Sequence, residues 1–165
     1  MMSTIKWFVV AALVVIADQY TKQLAEASLS YGEQIVVTSW FNWTLLYNTG
    51  AAFSFLADAG GWQRWFFIIL TLVVSAVIVG WVVRLKDTHA WLSFGLACVL
   101  GGALGNLYDR AVLGHVIDFI QWHYNGMYWP AFNIADAAIV LGGAILIIDS
   151  LVEGKRKKHD SNDNK

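Results

Sequence analysis

The chain has 165 residues, of which 58% are hydrophobic and 14% charged, with a net charge of −1, one Pro and one Cys. Soluble domains hold about 25% charged residues, so this balance excludes a disordered chain, a collagen and a nucleic-acid binder, and the single Cys98 excludes a disulfide framework and a Cys-rich zinc site. The charges are segregated along the chain, which is the composition of a membrane protein.

A helix crosses a bilayer with about 20 mostly apolar residues. Four stretches qualify, at about 5–25, 65–83, 91–107 and 132–151. The reading is an all-α polytopic membrane protein, a single membrane domain over 1–165, with a small extracytoplasmic β-sheet and an interfacial loop. The first span is apolar from Ile5 to Ala17 and then amphipathic. A cleaved signal peptide is the alternative, with Ala25-Glu26-Ala27 as the cleavage site, but Asp18, Lys22 and Glu26 occupy the place where small neutral residues belong.

The first loop spans about 27–64, and within it Gln34–Tyr47 is rich in β-branched and aromatic residues, which predicts two short strands at the membrane surface. A tight turn after the second span holds Arg84 and Lys86. The third span has Ala97, Gly101 and Gly105 at four-residue spacing, and the fourth has Gly142-Gly143-Ala144, small residues that let helices approach closely in lipid. The second long loop spans about 109–130, and its His115–Ile120 segment is predicted to extend the sheet. Residues 155–165 read as a disordered tail.

Lys6, Arg84, Lys86 and Lys155-Arg156-Lys157-Lys158 fall on one side, and the two long loops hold few Lys or Arg. That asymmetry puts both termini in the cytoplasm and the loops outside. Trp40, Trp43, Trp62, Trp65, Trp122 and Trp129 near the span ends are read as interfacial anchors.

Ionisable residues inside spans are expensive and invite a functional reading. Asp149 lies at the cytoplasmic end and reads as an interfacial charge. The others gather at the outer face: Asp18 and Lys22, four apart on one helix face; Asn106, Asp109 and Arg110; Asn133 and Asp136, three apart. The loop adds Asp118, set between apolar neighbours. Two carboxylates sharing a site cannot both ionise easily, so they hold one proton between them and can activate water. Asp118 with Asp136 is therefore a candidate aspartic dyad. Structural alternatives stand beside it: an exposed loop acid at Asp118, an Asp136–Arg110 pair, an intrahelical Asp18–Lys22 pair, and caps at Asn48, Asn106 and Asn133. A Ser–Lys site using Ser54 or Ser28 has no support, His115-x-x-Asp118 has no recognised zinc spacing, and neither metal nor cofactor is expected.

The motifs Asp18-Gln-Tyr-Thr-Lys22, Asn48-Thr-Gly-Ala-Ala-Phe-Ser54, Gly101-Gly-Ala-Leu-Gly-Asn-Leu-Tyr-Asp-Arg110, Gly114-His-Val-Ile-Asp-Phe-Ile120 and Trp129-Pro-Ala-Phe-Asn-Ile-Ala-Asp136 resemble, in order, those of the bacterial lipoprotein signal peptidases, the type II signal peptidases. Tyr108 departs from the aliphatic residue usual there. The resemblance implies a four-helix membrane aspartic endopeptidase of the bacterial inner membrane that cuts prolipoproteins just before a diacylglyceryl-modified cysteine. It implies Asp118 and Asp136 as the catalytic pair, Asn48, Asn106, Arg110 and Asn133 as substrate-binding residues, and Asp18 and Lys22 as their support. The implied partners are the lipid-modified precursor, membrane lipids and cyclic peptide antibiotics of the globomycin class. Two other classes remain open on the residues alone: a proton-coupled carrier using Asp18, Arg110 and Asp136, and an assembly subunit in which the polar cluster is interhelical glue.

Overall fold

The computed structural model describes residues 2–50, 61–85 and 89–163. Ser54, Lys86 and the last two residues of the expected tail lie outside the described residues. The elements in order are α1 (Met2–Ser28), β1 (Gln34–Val36), β2 (Phe41–Asn48), α2 (Trp62–Arg84), α3 (Ala90–Val112), β3 (Val116–Tyr124), β4 (Met127–Tyr128) and α4 (Ile134–Asp163). All four helices contain a stretch long and apolar enough to cross a membrane. This is the expected architecture, a membrane helix bundle carrying a small antiparallel sheet.

α3 lies at the centre and packs against each of the other three helices. Its glycines make that approach possible. A Cβ on Gly101 would meet the Ala11 carbonyl and the Val14 side chain of α1, and one on Gly102 would collide with the Ala135 carbonyl of α4. Gly142 of α4 answers with its own close contact to Gly95 and Val99. The expected role of Gly143 is not seen, since a Cβ there meets open space. Toward the end of the bundle holding Arg84, the core is Ala11, Ile78, Val82, Leu92, Leu96 and Leu100.

The sheet has the order β1-β2-β3-β4 with antiparallel neighbours throughout. It sits on the end of α1 through Ala25, Leu29, Leu45, Ile117 and Phe119. Trp40, Trp62, Trp65, Trp122 and Trp129 are exposed, whereas Trp43 packs against the apolar cluster beneath the sheet. The fourth strand was not expected. It pairs through a hairpin whose turn, Asn125-Gly126, has φ of 47° and 79°. An Asn-Gly pair favours that positive-φ geometry, so its signal was present in the sequence.

Three boundaries differ from the sequence reading. α3 runs to Val112 and not to Leu107, so Asp109 and Arg110 are helical; the helix stops where Leu113 and Gly114 donate to the Asp109 carbonyl, with Gly114 at φ 85°. That left-handed residue is the ordinary helix terminator. α2 begins at Trp62 and not at Trp65. The last helix starts at Ile134, because Phe132 is drawn into a bridge with Ile120, and it continues to Asp163, so residues 155–163 do not form the disordered tail. Lys155, Arg156, Lys157 and Lys158 are good helix formers, and an existing helix extends cheaply.

Candidate active site

The site forms where the C-terminal ends of α1 and α3 and the N-terminal end of α4 meet the sheet. α3 ends at Val112 and β3 begins at Val116, so only a short turn separates the last turn of α3, with Asp109, from the strand bearing Asp118. Residues 116–119 of β3 are all buried, which takes the carboxyl of Asp118 out of water. After the hairpin the chain returns beneath β3: Phe132 donates to and accepts from Ile120, each at 2.9 Å. This bridge delivers Asn133 beside Asp118 at the start of α4.

Asn133 and Asp136 cap that helix reciprocally. The Asp136 N–H donates to Asn133 Oδ1 at 2.9 Å, and the Asn133 N–H donates to Asp136 Oδ2 at 3.3 Å. This is the capping-box arrangement with Asn and Asp in its two positions. The Ala135 N–H of the same turn donates to Asp18 Oδ1 of α1 at 2.9 Å. The first turn of α4 is thus capped from within and from a second helix.

The two candidate acids are joined through this turn. Asn133 Nδ2 donates to Asp118 Oδ1 at 2.7 Å, and Asn48 Nδ2 of β2 donates to Asp118 Oδ2 at 3.1 Å. Asn106 Nδ2 of α3 donates to Asp136 Oδ1 at 2.8 Å. Burial, reinforced by the negative charge of Asp136, pushes the pKa of Asp118 up to about 7 from 3.8, against the pull of the Asn48 and Asn133 amides. Asp118 is therefore neither the exposed loop acid nor a lone buried charge.

Behind this layer is a buried charge cluster. Lys22 Nζ lies 2.7 Å from Asp18 Oδ2 and 2.7 Å from Asp109 Oδ2, and it donates to Asn106 Oδ1 at 3.0 Å. The Asp18–Lys22 pair is intrahelical as expected but not isolated. Asp109 is the residue that sequence reasoning left out of the site. It is fully buried and accepts from Lys22, from the Ile117 N–H at 3.3 Å and from Gln19 Nε2 at 2.8 Å. Its signal was its spacing, three after Asn106 and so on the same helix face. Gln19, also missed, bridges Asp109, Asp18 and the Gly105 carbonyl. Gly105 is needed here because a Cβ would come within 2.6 Å of Asp18 Oδ2.

The expected substrate-binding residues divide into two groups. Asn133 is fully buried, and its amide also reaches the Ile117 carbonyl at 3.1 Å and Asn106 Oδ1 at 3.3 Å. Asn106 is likewise buried between Lys22 and Asp136. Asn48 and Arg110 stand at the edge. Asn48 Oδ1 accepts from the Gly50 N–H at 3.0 Å, and Arg110 donates to the Gly50 carbonyl at 2.6 Å while its guanidinium lies 5.0 Å over the Phe67 ring of α2. Arg110 Nε is buried with no hydrogen-bond partner among the described residues. The alternative Asp136–Arg110 ion pair is not formed; in this cluster the close ion pairs are those of Lys22 with Asp18 and Asp109. A cavity of about 300 Å³ opens against Asp118 and Asn48, walled by Tyr31, Tyr47, Gln121 and Pro130. Among the described residues no three His, Cys, Asp or Glu side chains could together hold a metal ion. His115 packs its ring on Tyr47 at 4.1 Å.

Comparison with known proteins gives the family of the chain. The family model for signal peptidase (SPase) II matches residues 10–152. A lipoprotein signal peptidase of Pseudomonas aeruginosa (strain UCBPP-PA14) is 57% identical over 145 residues, 87% of this chain and 86% of that protein. One from Cellvibrio japonicus is 53% identical over 146 residues, 88% of this chain and 86% of that protein. A bacterial membrane enzyme structure determined by the in meso method at 2.3 Å resolution superposes with a TM-score of 0.83 at 31% identity, covering 92% of this chain and 91% of that one. The match takes in most of α1, the sheet, and the ends of α3 and α4 that bear the site, and with it the multi-pass chain belongs to the signal peptidase II family of membrane peptidases.

Proposed function

We propose that the protein removes the signal peptide from prolipoproteins by hydrolysing the bond just before a diacylglyceryl-modified cysteine, with water activated between Asp118 and Asp136. One observation carries this reading: a buried acid of β3 and a half-buried acid of α4 are tied to a single asparagine, Asn133, which gives its side-chain amide to Asp118 and its backbone N–H to Asp136. The raised pKa of Asp118 supports a pair that holds one proton near neutrality.

In such a pair the ionised acid takes a proton from water as the water oxygen attacks the scissile carbonyl carbon. The protonated acid donates to the carbonyl oxygen, leaving a neutral tetrahedral diol. When the C–N bond breaks, the first acid returns its proton to the leaving nitrogen and the second recovers one from a hydroxyl. No acyl-enzyme forms. Arg110 Nε is the donor left for a substrate carbonyl, whereas Asn48, Asn106 and Asn133 give their side-chain amides to the acids.

The proposed substrate explains the site's location. A signal peptide is an apolar helix, and the lipid on its cysteine stays in the outer half of the bilayer, so the bond to be cut lies at the interface. Between apolar helices in lipid there is little water-exclusion energy, and packing with polar contacts must select the partner. Lys6 and Arg84 lie toward the opposite ends of their helices from the acids, which supports cytoplasmic termini and an external site in the bacterial inner membrane. The same pocket is the proposed target of cyclic peptides of the globomycin class.

The test is incubation of purified full-length enzyme with a diacylglyceryl-modified precursor. Cleavage is expected before the modified cysteine, blocked by a globomycin-class peptide and lost in Asp118→Asn and Asp136→Asn variants that still fold. Full activity of either variant would remove the dyad.

A further inference from the structure

We propose that Lys22, clamped between Asp18 and Asp109, is a positioning residue that orients the Asn106 amide and so assigns the shared proton to Asp118 and the negative charge to Asp136. This rests on the dyad reading above and asks which acid does which job.

Lys22 is 1% exposed, and its ammonium has three protons and no lone pair. Each proton has an acceptor: Asp18 Oδ2, Asp109 Oδ2 and Asn106 Oδ1. An ammonium cannot accept, so the atom of Asn106 that faces it must be the oxygen. Asn133 Nδ2, 3.3 Å from the same oxygen, is a second donor that enforces this orientation. The amide nitrogen of Asn106 is thereby turned toward Asp136 Oδ1 at 2.8 Å. A donor that cannot swing away favours an ionised acceptor. The other oxygen of Asp136 meets the Asn133 N–H in the first turn of α4, where the helix dipole also favours an anion.

Asp118 has no helix end behind it. It lies in β3 between Ile117 and Phe119, both buried, and shares the Asn133 amide with the Ile117 carbonyl. Charged groups on the surrounding elements include Asp18, Lys22 and Glu26 of α1, the last accepting from the Tyr47 hydroxyl of β2 at 3.4 Å, Asp109 and Arg110 of α3, and Asp118 and Asp136 themselves, while Arg64 of α2 donates to the carbonyls of Arg110 and Ala111. Asp18 and Asp109 offset the charges of Lys22 and Arg110, so no positive charge is left over for the dyad, a second full negative charge there is disfavoured and one proton is retained. Asp136 is then the base toward water, and Asp118 donates to the carbonyl oxygen.

Kinetics of the full-length enzyme on a diacylglyceryl-modified precursor test this. Asn106→Asp keeps the size and the acceptor for Lys22 but loses the donor to Asp136. It is expected to lower kcat about 10²-fold, to leave KM within about twofold, and to move the acid limb of the kcat/KM profile to higher pH. Lys22→Met, which frees the amide to turn, is expected to give the same split. Should the two carboxylates it strands unfold the protein, the aspartate variant decides alone. A second measurement needs no altered enzyme beyond resonance assignment: the carboxyl ¹³C signals near neutral pH are expected to report Asp118 as the acid and Asp136 as the carboxylate. The reverse assignment overturns the inference, as does a raised KM at unchanged kcat, or an unaltered pH profile, in Asn106→Asp. Activity surviving in both Asp→Asn variants would instead fail the dyad reading itself.

Discussion

α2 and α3 are both 23 residues long, yet 56% of the α3 span is buried against 17% of the α2 span, and α2 is the more apolar of the two. In a water-soluble protein the more apolar helix would lie inside. Here lipid is the solvent, so apolar side chains such as Ile69, Val73 and Val77 gain nothing by turning inward, and α2 remains at the edge. α3 holds the centre because its glycines let two helices approach it and because Asn106 and Asp109 have partners only in the interior. One helix is specified by composition, the other by contacts.

That contrast makes predictions, the largest at the end of the bundle that carries the sheet. Asp118→Asn and Asp136→Asn are each expected to lower kcat by about 10⁴-fold or more, whereas Ile69→Ala on α2 leaves kcat within about twofold. Single-turnover assays on protein of verified fold check this, and an α2 variant as damaging as the dyad variants would erase the distinction.

Next in size is a pH effect on stability. The folded-state pKa of Asp118 lies near 7, above its ordinary 3.8, so the folded state binds more protons between those values. Its contribution to stability is full below about pH 4 and is lost as pH rises through about 7, by up to about 1.4 kcal/mol per pH unit. Thermal unfolding in detergent across that range is expected to show a slope that Asp118→Asn flattens, and an unchanged slope would contradict the burial argument. By the same proton balance, activity is expected to fall above about pH 7 as the dyad loses its proton.

A smaller effect separates the helices by their glycines. Gly102→Ala places a Cβ against the Ala135 carbonyl and is expected to cost about 1–3 kcal/mol, with loss of activity through displacement of the first turn of α4. Gly80→Ala on α2 meets nothing within 4 Å and is expected to leave the midpoint unchanged or slightly raised. Comparing their unfolding midpoints in one detergent decides it; equal losses would mean that α2 packs as tightly as α3.

Much of this molecule is legible before any coordinates. The four spans, the strands within Gln34–Tyr47 and the extension of the sheet by Val116–Ile120 each follow from local periodicity and composition. Asp118 and Asp136 stand out because a carboxylate among Val, Ile and Phe, or one turn inside an apolar helix, needs a partner. Other features depended on long-range contacts. The Gly114 cap makes Asp109 helical, the Phe132–Ile120 bridge delays the start of α4 by two residues, and Asn106 and Asn133, read as donors to substrate, face the acids.

The division has a physical basis. Hydropathy and strand propensity are properties of neighbouring residues, so the sequence alone determined how many segments cross the membrane, which end of the bundle collects the charge and which two acids are candidates. Which atom of each amide faces which carboxylate depends on residues up to 117 positions apart, as when Asp18 caps the turn at Ala135. Hydrogen bonds are directional and short, and only the folded chain brings their partners within reach.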